Sequence, residues 1–354
     1  MKKIYILALA ALALASCDKN DDAVESSQVA AKITATICES TPSRAIDASW
    51  AAGDCIGISS TVGTDPDFNK RVIGPYFNVK YTTENGDGIF NGHPLYFYKP
   101  MTLFAYYPFA GVDGKFAGED SEVAGPDANG IITANTRPDN QMEKEQRLID
   151  FLWDSQIGFT AKNPNVDFKF THRMSQLTFK FLNTSVGDPK QQVLVKNITA
   201  YEIIGLGFDG TFNTYTGVCA INDPAVNDSI KMEKFKDGKT PFYEHIQHDE
   251  FLDPIIVFPQ QPGNDKVQLR LYLNELNNEE QLQTYTCTLT FGEDGLKPGC
   301  NYKYTIRVSK VGLIVGKMSI EPWKVERDVK LTSTIDGAFK EFEEETNATP
   351  QEND

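Results

Sequence analysis

The stretch Val267-Gln268-Leu269-Arg270-Leu271-Tyr272-Leu273 places an aliphatic side chain at every second position. A period of two sends alternate side chains to opposite faces of an extended chain, so the segment reads as a strand with one face in a core. The same period returns where Tyr285, Cys287, Leu289 and Phe291 alternate with threonines, and where Tyr302, Tyr304, Ile306 and Val308 alternate with Lys303, Thr305 and Arg307. Near the start, Ile33, Ala35 and Ile37 alternate with Lys32, Thr34 and Thr36. Half-buried antiparallel strands are expected at all four places. Asn85-Gly86-Asp87-Gly88, Asn91-Gly92, Asp113-Gly114, Asp209-Gly210 and Lys297-Pro298-Gly299 supply turn chemistry between such strands. Frequent turns and short strands predict an all-β chain built of β-sandwiches. Only residues 139–150 carry helical signals, with Pro138 at the start and Glu143 four residues before Arg147. A surface excursion is expected there.

The N-terminus carries its own signal. Lys2 and Lys3 precede an apolar run over residues 4–14 that ends in Leu14-Ala15-Ser16-Cys17, the lipobox pattern of a bacterial lipoprotein signal peptide. Residues 1–16 are read as the signal peptide and Cys17 as the lipidated first residue. The run is too short to span a bilayer, so a body tethered by acyl chains is expected. Asp18-Lys19-Asn20-Asp21-Asp22 resembles the acidic signal that sends lipoproteins to the outer face of the outer membrane; the alternative is a solvated spacer. Net charge is −15 for the whole chain, and loss of the two signal-peptide lysines takes it to −17. Such a balance argues against nucleic acid and anionic membrane surfaces as partners.

Five cysteines remain after Cys17 (Cys38, Cys55, Cys219, Cys287 and Cys300), an odd number without close spacing, so no disulfide framework is implied. A bridge between Cys287 and Cys300 stays open. The polar stretch Lys162-Asn163-Pro164-Asn165 marks a domain boundary. The chain thus divides into the signal peptide, an acidic tether at 17–29, one sandwich domain at 30–164, a second at 165–336, and an acidic tail at 337–354 expected to be disordered.

Chemical motifs weigh against catalysis. Gly205-Leu206-Gly207-Phe208-Asp209-Gly210 matches a dinucleotide-binding pattern, yet Thr211-Phe212-Asn213-Thr214-Tyr215 follows where that loop must open a helix. A turn is expected instead. His245 and His248, flanked by Glu244, Asp249 and Glu250, read as a solvated loop rather than a metal site. No HExxH, CxxC or GxSxG motif occurs. Trp50, Trp153 and Trp323 could stack on sugars, but each lies beside an apolar strand and a core role is favoured. Asp228-Ser229-Ile230 resembles a bacterial O-glycosylation triplet, a weak match of three residues. No enzyme activity, cofactor or metal is expected.

Several segments taken in order resemble one family. They are Trp50-Ala51-Ala52-Gly53-Asp54-Cys55-Ile56-Gly57-Ile58, then Phe104-Ala105-Tyr106-Tyr107-Pro108-Phe109, then Phe170-Thr171-His172-Arg173-Met174-Ser175-Gln176-Leu177-Thr178-Phe179. Phe258-Pro259-Gln260, Leu296-Lys297-Pro298-Gly299-Cys300-Asn301-Tyr302-Lys303-Tyr304 and Ile320-Glu321-Pro322-Trp323 follow. Over nearly its full mature length the chain resembles the fimbrillin superfamily of Gram-negative type V pilins. The resemblance implies two tandem transthyretin-like β-sandwich domains with Greek-key antiparallel sheets, export as an outer-membrane surface lipoprotein, and assembly into an adhesive pilus by strand exchange with other fimbrillin subunits.

Family pilins are matured by an arginine-specific protease that removes the lipidated first strand. In Thr41-Pro42-Ser43-Arg44-Ala45, Pro42 and Ser43 favour an accessible loop, and Arg44 is the candidate cleavage residue, with Ala45 the new N-terminus. Val329, Leu331, Ser333 and Ile335 alternate with Lys330, Thr332 and Thr334, which makes residues 325–335 the candidate donor strand; the alternative is the last strand of their own sandwich. Ser333 interrupts the face to be buried, and the acidic tail departs from a stalk subunit that ends at its donor strand. Expected partners are other subunits, the protease, the membrane through the lipid, and surface ligands of host or microbe. The competing reading is a glycan-binding surface lipoprotein using exposed aromatics.

Overall fold

The structure is a computed structural model, and it describes residues 29–38, 49–63, 72–97, 99–118, 124–183, 195–224, 228–233, 251–263, 266–275, 278–309 and 312–323. Cys17, Arg44, Ala45, His245, His248, Val329, Leu331, Ser333, Ile335 and the acidic tail lie outside these residues.

The first body is a roll of eight strands: β1 (Lys32–Ile37), β2 (Cys55–Val62), β3 (Val72–Ile73), β4 (Val79–Thr82), β5 (Ile89–Gly92), β6 (Met101–Tyr107), β8 (Leu152–Phe159) and β9 (Asn165–His172). Their order is β3-β2-β4-β5-β1-β9-β8-β6, and a further pairing of β2 with β6 brings the two ends together. The corners are short: only Tyr81↔Gly92 and Thr82↔Asn91 join β4 to β5, and Leu152↔His172 and Trp153↔Thr171 join β8 to β9. Alternate residues point inward, so Ile33, Ile56, Ile58, Val79, Tyr81, Phe90, Leu103, Ala105, Val166, Phe168 and Phe170 form one buried cluster.

The second body is two facing four-stranded sheets. One has the order β15-β10-β18-β19 and uses β10 (Ser175–Asn183), β15 (Ile255–Val257), β18 (Cys300–Ser309) and β19 (Gly312–Pro322). The other has the order β14-β11-β16-β17 and uses β11 (Ile198–Leu206), β14 (Asp228–Glu233), β16 (Gln268–Glu275) and β17 (Asn278–Thr288). Val267, Leu269, Leu271 and Leu273 face Tyr302, Tyr304, Ile306 and Val308 in the core between them, so the two strongest alternations in the sequence line the same interior.

A small third sheet ties the bodies together. Strand β7 (Ile131–Asn135) pairs with β12 (Asp209–Asn213), which pairs with β13 (Cys219–Ile221). A third cluster of Tyr106, Ile132, Phe151, Met174, Phe212, Ile256, Phe258 and Trp323 packs around this seam.

Several sequence expectations are corrected. The sheets are not wholly antiparallel: β1 runs parallel to β9, and β10 parallel to β18. Turn chemistry fixes only neighbours in sequence, and these partners are not neighbours. Asn91-Gly92 and Asp209-Gly210 are not turns but lie in β5 and β12, neither glycine has a positive φ, and a Cβ at either would meet the carbonyl of Lys80 or Ala220. Residues 139–150 form no continuous helix, only a 3-10 turn at Pro138–Gln141 and a single α turn at Glu143–Gln146. Nor is this segment a surface excursion. Gln141 is fully buried and its side-chain amide donates to Ile256 O at 2.7 Å and accepts from Ile256 N at 2.9 Å, while Gln146 donates to Pro254 O at 2.8 Å. Buried amides need partners, and these find them on the backbone of the second body.

The glycine-rich stretch at 205–210 is followed by a strand and not a helix, but it is no turn either: Gly205 lies in β11 and Asp209 and Gly210 in β12. The five described cysteines are free thiols, so Cys287 and Cys300 are not bridged. Strand β9, which the boundary at 164 assigns to the second domain, pairs with β1 and β8 and fills the first core; the chain changes sheets between His172 and Ser175.

Candidate functional site

Strand β1 is first in the described sequence yet sits inside its sheet, between β5 and β9. On one side six residues run parallel to β9, from Lys32↔Asn165 to Ile37↔Phe170; on the other, Ile33↔Phe90 and Thr34↔Ile89 are antiparallel to β5. Ala31 N–H donates to Leu95 O at 2.8 Å, Lys32 N–H to Pro164 O at 2.9 Å, Ala35 N–H to Gly88 O at 2.9 Å, and Cys38 N–H to Phe170 O at 2.7 Å. Both edges of the strand are therefore paired.

Side chains complete the seat. Ile33 and Ala35 are buried, whereas Lys32, Thr34 and Thr36 face solvent. The Thr34 hydroxyl reaches the Asp167 carboxylate at 3.1 Å. Trp50 closes the seat: its indole N–H donates to Ala35 O at 2.7 Å, and its ring meets Phe90, Tyr107 and Phe170 edge-on with centroids 5.1, 5.4 and 5.5 Å apart. Gly88 approaches from the far side with φ +78°, and a Cβ there would stand 2.6 Å from Ala35 O. Only glycine fits that position.

Removing β1 would leave a groove between β5 and β9 with unpaired backbone on both walls and Trp50, Phe90, Phe168 and Phe170 on its floor. Unpaired strand edges of this kind template another strand. What ties β1 to the rest of its body in sequence is the segment at 39–48, which contains Arg44.

The C-terminal end of β1 opens on a cavity of about 270 Å³ lined by Cys38, Thr171, His172, Arg173, Pro298, Gly299 and Trp323. His172 is buried, 2.8 Å from the Asp150 carboxylate through Nδ1, and stacks on Trp323 with centroids 4.3 Å apart. Arg173 donates through Nε to Gly217 O at 2.5 Å and lies over the Trp153 ring, and burial pulls its guanidinium below the ordinary arginine value.

The sequence singled out Trp50, Trp153 and Trp323 together, and the structure separates their roles. Trp50 and Trp323 are buried, and Trp153 is half-buried with its N–H on Thr214 O at 2.8 Å. The core reading holds, and a sugar platform built on these three is not present. Sequence reasoning missed the Trp50–Ala35 bond and the His172–Asp150 pair, although both tryptophan and histidine fall within the quoted motifs. Among the described residues no group of three or more His, Cys, Asp or Glu side chains could hold a metal ion.

The fimbrillin-like family model matches residues 43–323, and the chain belongs to that family. Among solved structures, a candidate cell adhesion protein from Bacteroides ovatus is 25% identical with a TM-score of 0.62, over 85% of this chain and 99% of that one. A candidate cell adhesion protein from Bacteroides uniformis is 21% identical with a TM-score of 0.56, over 83% and 99%. A fimbrial protein from Bacteroides vulgatus shares the fold at 14% identity and a TM-score of 0.51, over 83% and 100%. No curated protein matches the chain.

Proposed function

We propose that this chain is a non-catalytic subunit of a surface pilus, exported as a lipoprotein through Cys17, cut at Arg44, and polymerised by exchange of its first strand. The observation that carries the reading is the placement of β1: N-terminal in the described sequence, internal in the sheet, and followed within ten residues by a single arginine. A strand so placed can be lost only if something equivalent replaces it, because the groove would otherwise expose ladder groups and an aromatic floor. Removal at Arg44 separates it from the rest of the chain and leaves Ala45 as the new N-terminus.

The two-domain division belongs to the same proposal. Two buried clusters, one per body, support two sandwich units, and the sheet change between His172 and Ser175 favours that corner over residue 164 as the break. The other subunits of the pilus, an arginine-specific protease and the outer membrane are the proposed partners. The glycan-binding alternative is less well supported, since Trp50 and Trp323 are buried and Trp153 is half-buried.

The test is the chain beginning at Ala45. It is expected to form oligomers, or to take up a peptide covering residues 30–40 and stay monomeric once filled. Full-length protein nicked in its folded state at Arg44 provides the same species if the shortened chain does not fold on its own. A nicked chain that stays monomeric and ignores the peptide overturns the reading.

A further inference from the structure

Arg173 stands at the corner where the chain passes from the first body to the second, and it is held on three sides. Its backbone N–H donates to Phe151 O at 2.8 Å, its Nε to Gly217 O, and its guanidinium lies 5.5 Å from the centroid of the Trp153 ring. Gly217 is fitted for this contact: its φ is +68°, and a Cβ there would stand 2.5 Å from the Trp153 ring. Only glycine brings that carbonyl to the arginine while the indole keeps its place. These contacts leave the charge unspent. Among the described residues no carboxylate pairs with Arg173, and its terminal Nη1 and Nη2 groups have no hydrogen-bond acceptor. Burial without a counter-ion disfavours the charged form, which is the direction in which the guanidinium is shifted.

The cavity of about 270 Å³ that Arg173 lines is built from walls tied to one another. Gly299 N–H donates to Met174 O at 2.8 Å, Trp323 N–H donates to Gly299 O at 2.6 Å, and the Trp323 ring stacks on His172, which the Asp150 carboxylate fixes from behind. Trp323 brings a second unspent donor. Its indole N–H is buried and finds no acceptor among the described residues, whereas those of Trp50 and Trp153 are bonded to Ala35 O and Thr214 O. A guanidinium and an indole N–H can only donate, so the group that satisfies both is an acceptor, and the guanidinium asks for a negative one. The cavity lies where the two bodies meet, a common position for small-molecule sites, and falls just below the roughly 300–1,000 Å³ of drug-sized pockets.

We propose that this cavity binds a small monocarboxylate with an apolar body, its carboxylate on Nη1 and Nη2 of Arg173 and its body against Trp323 and Pro298, with the Trp323 indole N–H as a further donor. The planar fork of a guanidinium matches the two oxygens of a carboxylate in parallel hydrogen bonds. One guanidinium balances one negative charge. Asp150 behind His172 and the net charge of −15 disfavour a dianion. Trp323, Pro298, Gly299 and Cys38 give the rest of the wall its apolar character, which suits a hydrocarbon body. The site stands apart from the strand-exchange reading, since of its lining residues only Cys38 precedes Arg44.

The experiment is titration calorimetry of the full-length protein with benzoate, with benzamide as the neutral isostere and phenyl phosphate as the dianion. Benzoate is expected to saturate a single site, benzamide to bind about tenfold or more weakly, and phenyl phosphate no more tightly than benzoate. Arg173→Gln is expected to lose about tenfold or more in benzoate affinity, and Arg173→Lys to fall between the two, because a point charge lacks the fork. Arg173→Gln also gives up the contacts with Gly217 and Trp153, so a second readout uses the unaltered chain. Its three indole N–H resonances are assigned with Trp50→Phe, Trp153→Phe and Trp323→Phe. On addition of benzoate that of Trp323 is expected to move and that of Trp50, already bonded to Ala35 O, to stay. No saturation up to about 10 mM, equal binding of benzamide, tighter binding of phenyl phosphate, or bound benzoate that leaves the Trp323 resonance in place would each overturn the proposal.

Discussion

Ala35 and Trp50 show how much of the slot rests on single side chains. The indole N–H on Ala35 O is a buried hydrogen bond from a loop residue to a strand backbone, and a lost bond of this kind costs about 1 kcal/mol. Trp50→Phe keeps most of the ring contacts and removes the donor. It is expected to lower the midpoint of chemical denaturation and to speed release of β1 from nicked protein, measured as the appearance of the free N-terminal fragment. Ala35→Leu adds volume in a seat that is 1% exposed and is expected to cost about 1–3 kcal/mol. Gly88→Ala brings a Cβ against the same carbonyl and forces a positive φ on a side-chain-bearing residue, so it is expected to weaken β1 in the same assay. The burial of Ile33 and Ala35 was legible in the period of two. The bond from Trp50 was not, because no spacing rule ties an indole to a backbone carbonyl fifteen residues away.

At the scale of elements, the clearest departure from the sequence is the segment at 138–146. Helical spacing was real there, but one turn of α-helix is all that survives, because the backbone of Ile256 claims Gln141 and that of Pro254 claims Gln146. Gln141→Leu leaves Ile256 N–H and C=O without that pairing in a buried site. A loss of about 2 kcal/mol or more is expected, measurable by urea denaturation, against little change for substitution of exposed Glu145. Strands were more legible than helix, since alternating burial appears directly in β1, β9, β16 and β18. Parallel pairing of β1 with β9 and of β10 with β18 was not, because it depends on which distant strands meet.

The strands also carry a pH signature. Burial pushes the phenols of Tyr81 and Tyr302 up to about 12, and it raises those of Tyr106, Tyr107 and Tyr304 as well. A group with its folded value raised contributes fully below its unfolded value near 10 and loses that contribution as pH climbs toward the folded value. Stability is therefore expected to fall between about pH 10 and 12, with phenolate absorbance appearing together with unfolding. Phenolate formation well before loss of the far-ultraviolet β signal would contradict the burial of these tyrosines.

At the scale of the whole molecule, two bodies are sewn together by the β7–β12 pairing, by the cluster around Phe151, Phe212 and Trp323, and by the glutamine clamp. The sequence announced sandwiches, and the motif order announced the family. It could not announce the seam, which is made by β7 crossing to a partner more than seventy residues away. The mature form bears on all of it. Intact-mass measurement of the protein taken from native cells, before and after an arginine-specific protease, tests the central claim most directly. A polymerised chain that begins at Ala45 and lacks lipid is the expected result; an acylated Cys17 that survives the protease on an assembled protein would contradict it.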